Sequence, residues 1–430
     1  MSEEKFDAII VGGGIAGTVA SYLLAKEGLD VVLIERGNYC GSKNMTGGRI
    51  YGHSIEKIFP HFAEEAPIER KITREKISLM TGESNFTIDF SSSELGRQGG
   101  DSYSVLRGAF DQWLAGKAEK AGVNIITGIR VDNLIIHNGA VSGVVAGEDE
   151  LESDVTILAD GVNSLLAQKL GFCEELRANQ VAIGVKEVIE LPAHVIEDRF
   201  QCSGKEGTAW LFAGYPSGGR IGGGFLYTNQ SSLSLGIVCT LDDVIKGEKS
   251  VPQLLEDFKK HPVIQPLIKN GKLLEYSGHL VPEGGLNSIP KIVGNGVLVV
   301  GDAAGFCINL GYAVRGMDFA VASAECAAKA VLKAKESQNF REESLNGYHD
   351  NLERSFVMKD LRLYKKFPHF LEKTPRIFKE YPQMVENLMN DLFIMNGQPA
   401  KPLTKKIVNN MKKVGILNIV KDCWRGVRSL

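Results

Sequence analysis

The sequence has no CxxC pair, no HxxxH spacing and no metal-ligand pattern among its 7 cysteines and 8 histidines. The cysteines stand singly at 40, 173, 202, 239, 307, 326 and 423. That excludes a local cysteine cluster able to hold an iron–sulfur centre. The odd number points to reduced, cytosolic thiols rather than a disulfide framework. No run of about 18 apolar residues occurs, so no transmembrane helix is expected and any membrane contact is peripheral. Charge is nearly balanced, with a formal net of −3, which argues against nucleic acid as the main partner. The first residues, MSEEKFDAIIVGGG, are acidic and run straight into a strand pattern. They read as neither a signal nor a transit peptide. Internal repeats and low-complexity tracts are missing, and so is any strong catalytic triad or acid–base pair.

What is present is an ordinary globular composition over 430 residues, 43% hydrophobic and 23% charged. That length is two or three domains' worth, enough for a core that needs no disulfide or metal staple. Ala8 to Val11 is a short apolar run of the buried parallel type. Ile15 to Glu27 carries helical spacing, with Gly28 as its cap. Val31 to Ile34 is a second apolar strand, completing one βαβ unit. Residues 70–100 then lose helical periodicity and read as strands (ISLM, FTID) and a polar loop. Helical pattern returns at Ala109 to Lys120, followed by the strands VNIITG and Thr156 to Leu158. Residues 180–290 are rich in β-branched residues and glycine, which predicts a mostly antiparallel sheet. Gly296 to Val300 is a further strand, a long helix is predicted over about 313–335, and 336–430 is helical and charged. The expected class is α/β with an α+β insert. The division is a discontinuous nucleotide domain (1–70, 101–178, 291–335), a β domain (71–100, 179–290) and a helical C-terminal region (336–430).

Gly12-Gly13-Gly14-Ile15-Ala16-Gly17 is a GxGxxG that follows a strand and opens a helix, the context that gives this pattern meaning. Gly12 permits the tight turn, Gly14 lets the backbone approach a pyrophosphate, and Gly17 lets helix and strand pack closely. The helix start offers unpaired N–H groups to phosphate. Glu35 ends the second strand 21 residues after Gly14. A carboxylate there can accept hydrogen bonds from ribose hydroxyls and would repel a 2′-phosphate. Gly301-Asp302-Ala303-Ala304-Gly305 follows the strand GVLVV. Asp302 suits ribityl hydroxyls, and the N–H groups of the next helix start suit phosphate or a flavin edge. Ala159-Asp160-Gly161 after TIL is a weaker third element, for which a simple turn is an equal alternative. A second nucleotide contact about 290 residues downstream implies a long ligand crossing the sheet.

These motifs, in this order, resemble the glutathione-reductase-type FAD fold of the hydroxylase and geranylgeranyl-reductase kind. Within it the chain is most similar to the electron-transfer flavoprotein–quinone oxidoreductase family, FixC type. The resemblance rests on DAIIVGGGIAG, VVLIERG, KNMTGGRIY, YSVLR, ILADGVNS, GVKEVIELP, VGDAAG and NLGYAVRGMD and runs over essentially the whole chain; KNMTGG and GYAVRGMD are its most specific parts. It implies a Rossmann-like FAD-binding domain with an inserted antiparallel-sheet domain. Arg36 in VVLIERG falls within the cofactor set. Arg107 matches an arginine that meets the FAD phosphates, as a bidentate cation can. Val131 matches a position whose backbone meets adenine, although a core valine reads equally well. Gly47, Gly48 and the segment Asn309 to Gly311 would lie near the isoalloxazine ring, where close approach requires glycine.

The resemblance also implies an FAD-dependent oxidoreductase whose electrons arrive from an electron-transfer flavoprotein and leave to a quinone. Larger members carry a fused [4Fe–4S] domain. This sequence does not, so a separate ferredoxin-like iron–sulfur protein is the expected partner. The implied place is the cytoplasm, or the inner face of the cell membrane as a peripheral protein. A geranylgeranyl-reductase-type enzyme, an aromatic hydroxylase and a non-enzymatic FAD subunit of a larger complex stay as alternatives. Candidate quinone-contacting segments are Trp210 to Pro216 and Gly222 to Tyr227, although aromatic runs on strands are more often core. His279 is the one histidine to watch, with a satisfied structural role favoured. Residues 401–430 carry a net charge of +7 against −10 for the remainder. Leu403, Ile407, Met411 and Val414 form one helical stripe; Leu417, Val420, Trp424 and Val427 form another. Such a segment suits an anionic membrane surface or an acidic partner, or is a surface helix packed on the body.

Overall fold

The computed structural model describes residues 5–43, 48–92, 94–97, 99–399 and 402–429. Its central sheet is built from parallel strands Lys5–Val11, Val31–Glu35, Asn124–Thr127, Asp149–Leu158 and Val297–Val299. Asp149–Leu158 lies in the middle, paired with Lys5–Val11 on one side and Val297–Val299 on the other. Strands covered on both faces must be apolar throughout, and Ile9, Ile10, Leu33, Ile157 and Leu298 are all fully buried. Helix Ile15–Lys26 packs between helices Arg107–Lys120 and Met317–Glu336. Helices Ile15–Lys26 and Met317–Glu336 both carry small buried residues (Ala16 and Ala20 on one, Ala320, Ala324 and Ala327 on the other), which lets them approach closely.

The second sheet runs in the order Lys272–Pro282, Val181–Glu190, Ser232–Thr240, Gly222–Thr228, Glu206–Gly214, Ile68–Met80, Ser102–Val105, Arg49–Tyr51, with Asn85–Ser91 along Ile68–Met80. All neighbours are antiparallel except Glu206–Gly214 on Ile68–Met80. Arg49–Tyr51 and Ser102–Val105, which the sequence assigns to the nucleotide part, hydrogen-bond into this sheet and tie the two halves together. Helix Val251–Lys260 covers one face, burying Leu254, Leu255 and Phe258 against Phe212, Leu235 and Ile237.

The segment after the strand Val297–Val299 differs from expectation. Gly301–Ala304 is a single 3-10 turn, not the start of an α-helix. A short hairpin, Ile308–Asn309 against Val314–Arg315, intervenes, and the long helix begins only at Met317. Gly305 takes a left-handed φ of +72° that ends the turn. The C-terminal region is helical as expected, finishing with helices Glu380–Phe393, Leu403–Val414 and Ile416–Val427.

Ile157 sits in register between Ile10 and Leu298. Ile157→Ala is expected to cost about 2–5 kcal/mol, read as a lower urea midpoint of the unfolding transition.

Candidate functional site

The parallel strands end together, and beyond their carboxyl ends lies a cavity of about 580 Å³. Ligand sites in open α/β sheets form there. The glycine fingerprint makes its floor. Gly12 has φ +108°, and a side chain on it would collide with the Ala159 carbonyl. One on Gly17 would collide with the Gly12 carbonyl, so Gly17 serves the helix–strand approach and does not line the cavity. Gly14 caps helix Ile15–Lys26 and lines the cavity, which puts the first-turn N–H groups at its wall.

Glu35 is buried. Gly13 N donates to its Oε2 at 2.7 Å and Gly37 N to its Oε1 at 2.6 Å. The carboxylate therefore fixes the turn as well as facing the cavity. Arg36 lines the wall beside it, and Val131 lines it with Ile129 and Arg130. Arg107 begins helix Arg107–Lys120, donates to Asp111 from Nε and Nη2 at 2.8 Å each, and lines the cavity. Asp160 and Asp302 enter from the turns after strands Asp149–Leu158 and Val297–Val299. Leu166 N donates to Asp160 Oδ2 at 3.3 Å, while Oδ1 has no partner among the described residues. Burial pushes the Asp160 carboxyl up to about 6, with Arg36 pulling the other way. Burial also raises Asp302, and Arg107 opposes it.

Asn309 and Gly311 line the cavity together: Gly311 N donates to Asn309 Oδ1 at 3.0 Å, and Asn309 Nδ2 donates to Glu283 at 3.1 Å. Gly48 lines it too, with the Tyr227 ring standing where a side chain would project. Gly301 does not line it; its N–H donates to Ser323 Oγ at 3.0 Å. Gly47 lies outside the described residues. Of the aromatic segments, Trp210 is core, stacked on Phe212 with its Nε1 donating to Ser78 at 2.8 Å, whereas Leu211, Gly222 to Phe225 and Tyr227 form the apolar wall.

The sequence points to some further contributors without giving their role and leaves Glu283 unmarked. His279 faces the cavity rather than a structural partner, and burial, then Arg107 and Arg36, pull its imidazole down to about 4. Strand alternation with cavity-lining Val281 was the available signal. Glu283 also lines the wall, with Thr240 and Asn309 donating to its two oxygens. The RGMD motif acts as a clamp. Arg315 donates to Asp318 Oδ2 at 2.8 and 2.6 Å and to Asp360 at 2.6 Å, and His53 Nε2 lies 3.2 Å from Asp318. This pins the first turn of helix Met317–Glu336, placing Gly316 and Met317 on the cavity. Phe367, Phe370 and Phe378 close it from the C-terminal region. No group of three or more metal-ligating side chains occurs among the described residues.

An orphaned buried carboxylate oxygen, two arginines, a helix start and glycine turns suit a ligand that brings hydroxyls and phosphates, which fits FAD. The raised Asp160 has a consequence in the cofactor-free chain. A carboxyl raised on folding stabilises the fold below its unfolded value near pH 4, and that contribution is lost as pH rises through about 6. Asp160→Asn is therefore expected to flatten the fall in cofactor-free stability between pH 4 and 6. At pH 7 it should gain up to about 3 kcal/mol in urea unfolding while binding FAD more weakly. An unchanged pH slope would refute this.

Comparison with known proteins agrees with the geometry. Residues 5–208 match an FAD-binding domain, 181–281 the ubiquinone-binding domain of ETF-QO, and 367–430 the ETF-QO/FixC family C-terminal domain. Protein FixC of Salmonella typhimurium is 54% identical over 100% of both chains. Escherichia coli K12 YdiS, named "Probable electron transfer flavoprotein-quinone oxidoreductase", is 53% identical over the same span. Among solved structures, a geranylgeranyl bacteriochlorophyll reductase-like protein of Thermoplasma acidophilum aligns with a TM-score of 0.71 at 18% identity, covering 97% of this chain and 98% of its own. That likeness speaks to fold alone. The cofactor is FAD, and the chain belongs to the electron-transfer flavoprotein–quinone oxidoreductase family of FixC type, as an FAD-dependent oxidoreductase.

Proposed function

We propose that this protein passes electrons from a reduced electron-transfer flavoprotein to a quinone, working with a separate ferredoxin-like [4Fe–4S] protein. One observation carries the reading. A single cavity joins the nucleotide turns at Gly12, Asp160 and Asp302 to the apolar wall of the second sheet. A dinucleotide and an apolar acceptor can therefore meet inside it. When bound, FAD supplies the two-electron chemistry. The chain's own residues bind and orient. Arg36 and Arg107 hold the phosphates, Asp302 takes ribityl hydroxyls, Val131 meets adenine, and Gly48 and Asn309 to Gly311 lie at the ring. Phe225, Tyr227, Val238 and Val281 face the quinone from the sheet.

Support for an apolar acceptor comes from the edge strand Asn85–Ser91. Phe86, Ile88 and Phe90 share one face and are exposed, and the strand pairs with cavity-lining Ile77 and Leu79. No helix of the described residues is long and apolar enough to cross a membrane. Photoreduced protein mixed anaerobically with a water-soluble menaquinone analogue should reoxidise rapidly, followed by flavin absorbance, and NADH or NADPH alone should not reduce it. Direct reduction by NADPH with indifference to quinone would instead indicate a hydroxylase or prenyl reductase.

The basic C-terminal segment divides into an anchored part and an exposed part. Its one acid, Asp422, is buried and accepts from Arg376 at 2.6 and 2.8 Å and from Tyr381 at 2.7 Å. Ile407, Met411 and Val414 are half-buried, on a helix that packs on Glu380–Phe393. Leu417, Val420, Trp424 and Val427 are exposed along one face of helix Ile416–Val427. Apolar residues beside lysines and arginines suit an anionic membrane surface or the iron–sulfur partner. Deleting 401–430 should abolish liposome binding or capture of the ferredoxin-like protein while FAD stays bound; both contacts surviving would refute this role.

A further inference from the structure

Glu283 stands between two cavities. One is the large cavity; the other is a side pocket of about 50 Å³, which Glu283 lines together with Thr240, Cys307, Asn309, Tyr364 and Glu372. That volume holds a few waters, and its polar groups can bond them. At its rim Glu372 is exposed and lies 3.6 Å from His369. Glu283 is the half-buried carboxyl of this pocket. It is held by Asn309 Nδ2 at 3.1 Å and Thr240 Oγ1 at 3.2 Å, and no cation pairs with it among the described residues. The titratable groups around it are the Cys239 and Cys307 thiols, both pushed up by burial and then by nearby carboxylates, with Tyr364 and Glu372 across the pocket. Burial raises Glu283 above the ordinary carboxyl range, although both hydrogen bonds oppose this. A carboxyl of raised proton affinity thus stands between a small side pocket with polar groups and a largely apolar cavity.

We propose that Glu283 is the proton carrier between the side pocket and the redox cavity. The assignment rests on the quinone reading above. A quinone reduced to its hydroquinone takes two electrons, supplied by the reduced flavoprotein donor through FAD, and two protons from solvent. The O–H bond of Glu283 breaks as an O–H bond forms toward the acceptor's oxygen. The carboxylate left behind takes a proton from pocket water, which is replenished at the Glu372 rim. Each turnover uses this transfer at least once.

The test uses the full FAD-loaded chain. Infrared difference spectra recorded on photoreduction should show a protonated carboxyl band in wild type that is missing in Glu283→Gln and moved in Glu283→Asp. Reduction of a water-soluble menaquinone analogue should slow at least about tenfold in Glu283→Gln, with KM within about twofold, loss of the alkaline fall in the pH profile, and partial recovery in Glu283→Asp. Equal rates and pH profiles in wild type and Glu283→Gln would overturn the proposal. If Glu283→Gln loses FAD, an unmoved band in Glu283→Asp overturns it as well. Wild type that never reduces the quinone analogue, yet shows the Glu283 band, would instead refute the acceptor and leave the protonated carboxyl in place.

Discussion

Val11 lies beside Leu158, and Leu158 beside Val299, in parallel register. These residues come from the beginning, the middle and the last third of the chain. Because the three strands run the same way and stop at one level, the turns after them (Gly12, Ala159–Asp160, Gly301–Asp302) open on the same side. Parallel strands need crossover connections. One crossover carries helix Ile15–Lys26, and two longer ones, after Val31–Glu35 and after Asp149–Leu158, share the strands of the second sheet between them. That sheet cannot drift from the first, since Arg49–Tyr51 and Ser102–Val105 leave the nucleotide segments and hydrogen-bond into it. Strand pairing therefore fixes where the lining turns stand relative to the second sheet.

The charges at this site are arranged for a ligand. Asp160 keeps one oxygen without a partner, and both Asp160 and Asp302 are raised by burial. Arg107 meets Asp111 but still lines the cavity. Carboxyls held this way carry a desolvation cost, which hydroxyl donors from a bound dinucleotide would offset. The Arg315–Asp318 clamp differs: both guanidinium contacts fall on Asp318 Oδ2, and Asp360 braces the arginine. It positions the helix start, although Asp318 Oδ1 also has no partner among the described residues.

How far the sequence reveals this site depends on the range of the interaction. The fingerprint at Gly12 to Gly17 and Glu35 is readable because its whole geometry lies within one βαβ unit. Asp302 is readable for the same reason, as a residue ending an apolar strand. The 3-10 turn after it is not, because GDAAG starts like a helix and only the left-handed Gly305 and the hairpin at Ile308–Asn309 stop it. His279 sits on an antiparallel strand of ordinary pattern and Glu283 just past its end, and what matters is the side they turn to a distant arginine or asparagine. The RGMD clamp was visible as a specific motif, but its partners His53 and Asp360 lie far along the chain. Trp210 follows the general rule that aromatic residues on strands are more often core: it is buried, with its Nε1 bonded to Ser78.

The C-terminal region is part of the cavity and not an appendage. Ile377 and Phe378 line the cavity, and the residue before them, Arg376, grips Asp422 on the last helix. Phe370, another lining residue, faces Gly426 on that same helix. The basic helix with its exposed Leu417 and Trp424 is therefore joined through the Arg376–Asp422 ion pair, the Phe370 ring contact and a hydrogen bond from Arg425 to the Lys373 carbonyl to the segment that lines the cavity. Any surface or protein that seats on those exposed residues sits one layer from the cavity wall. The short stretch of backbone 370–378 therefore both lines the cavity and holds the helix whose apolar face is exposed.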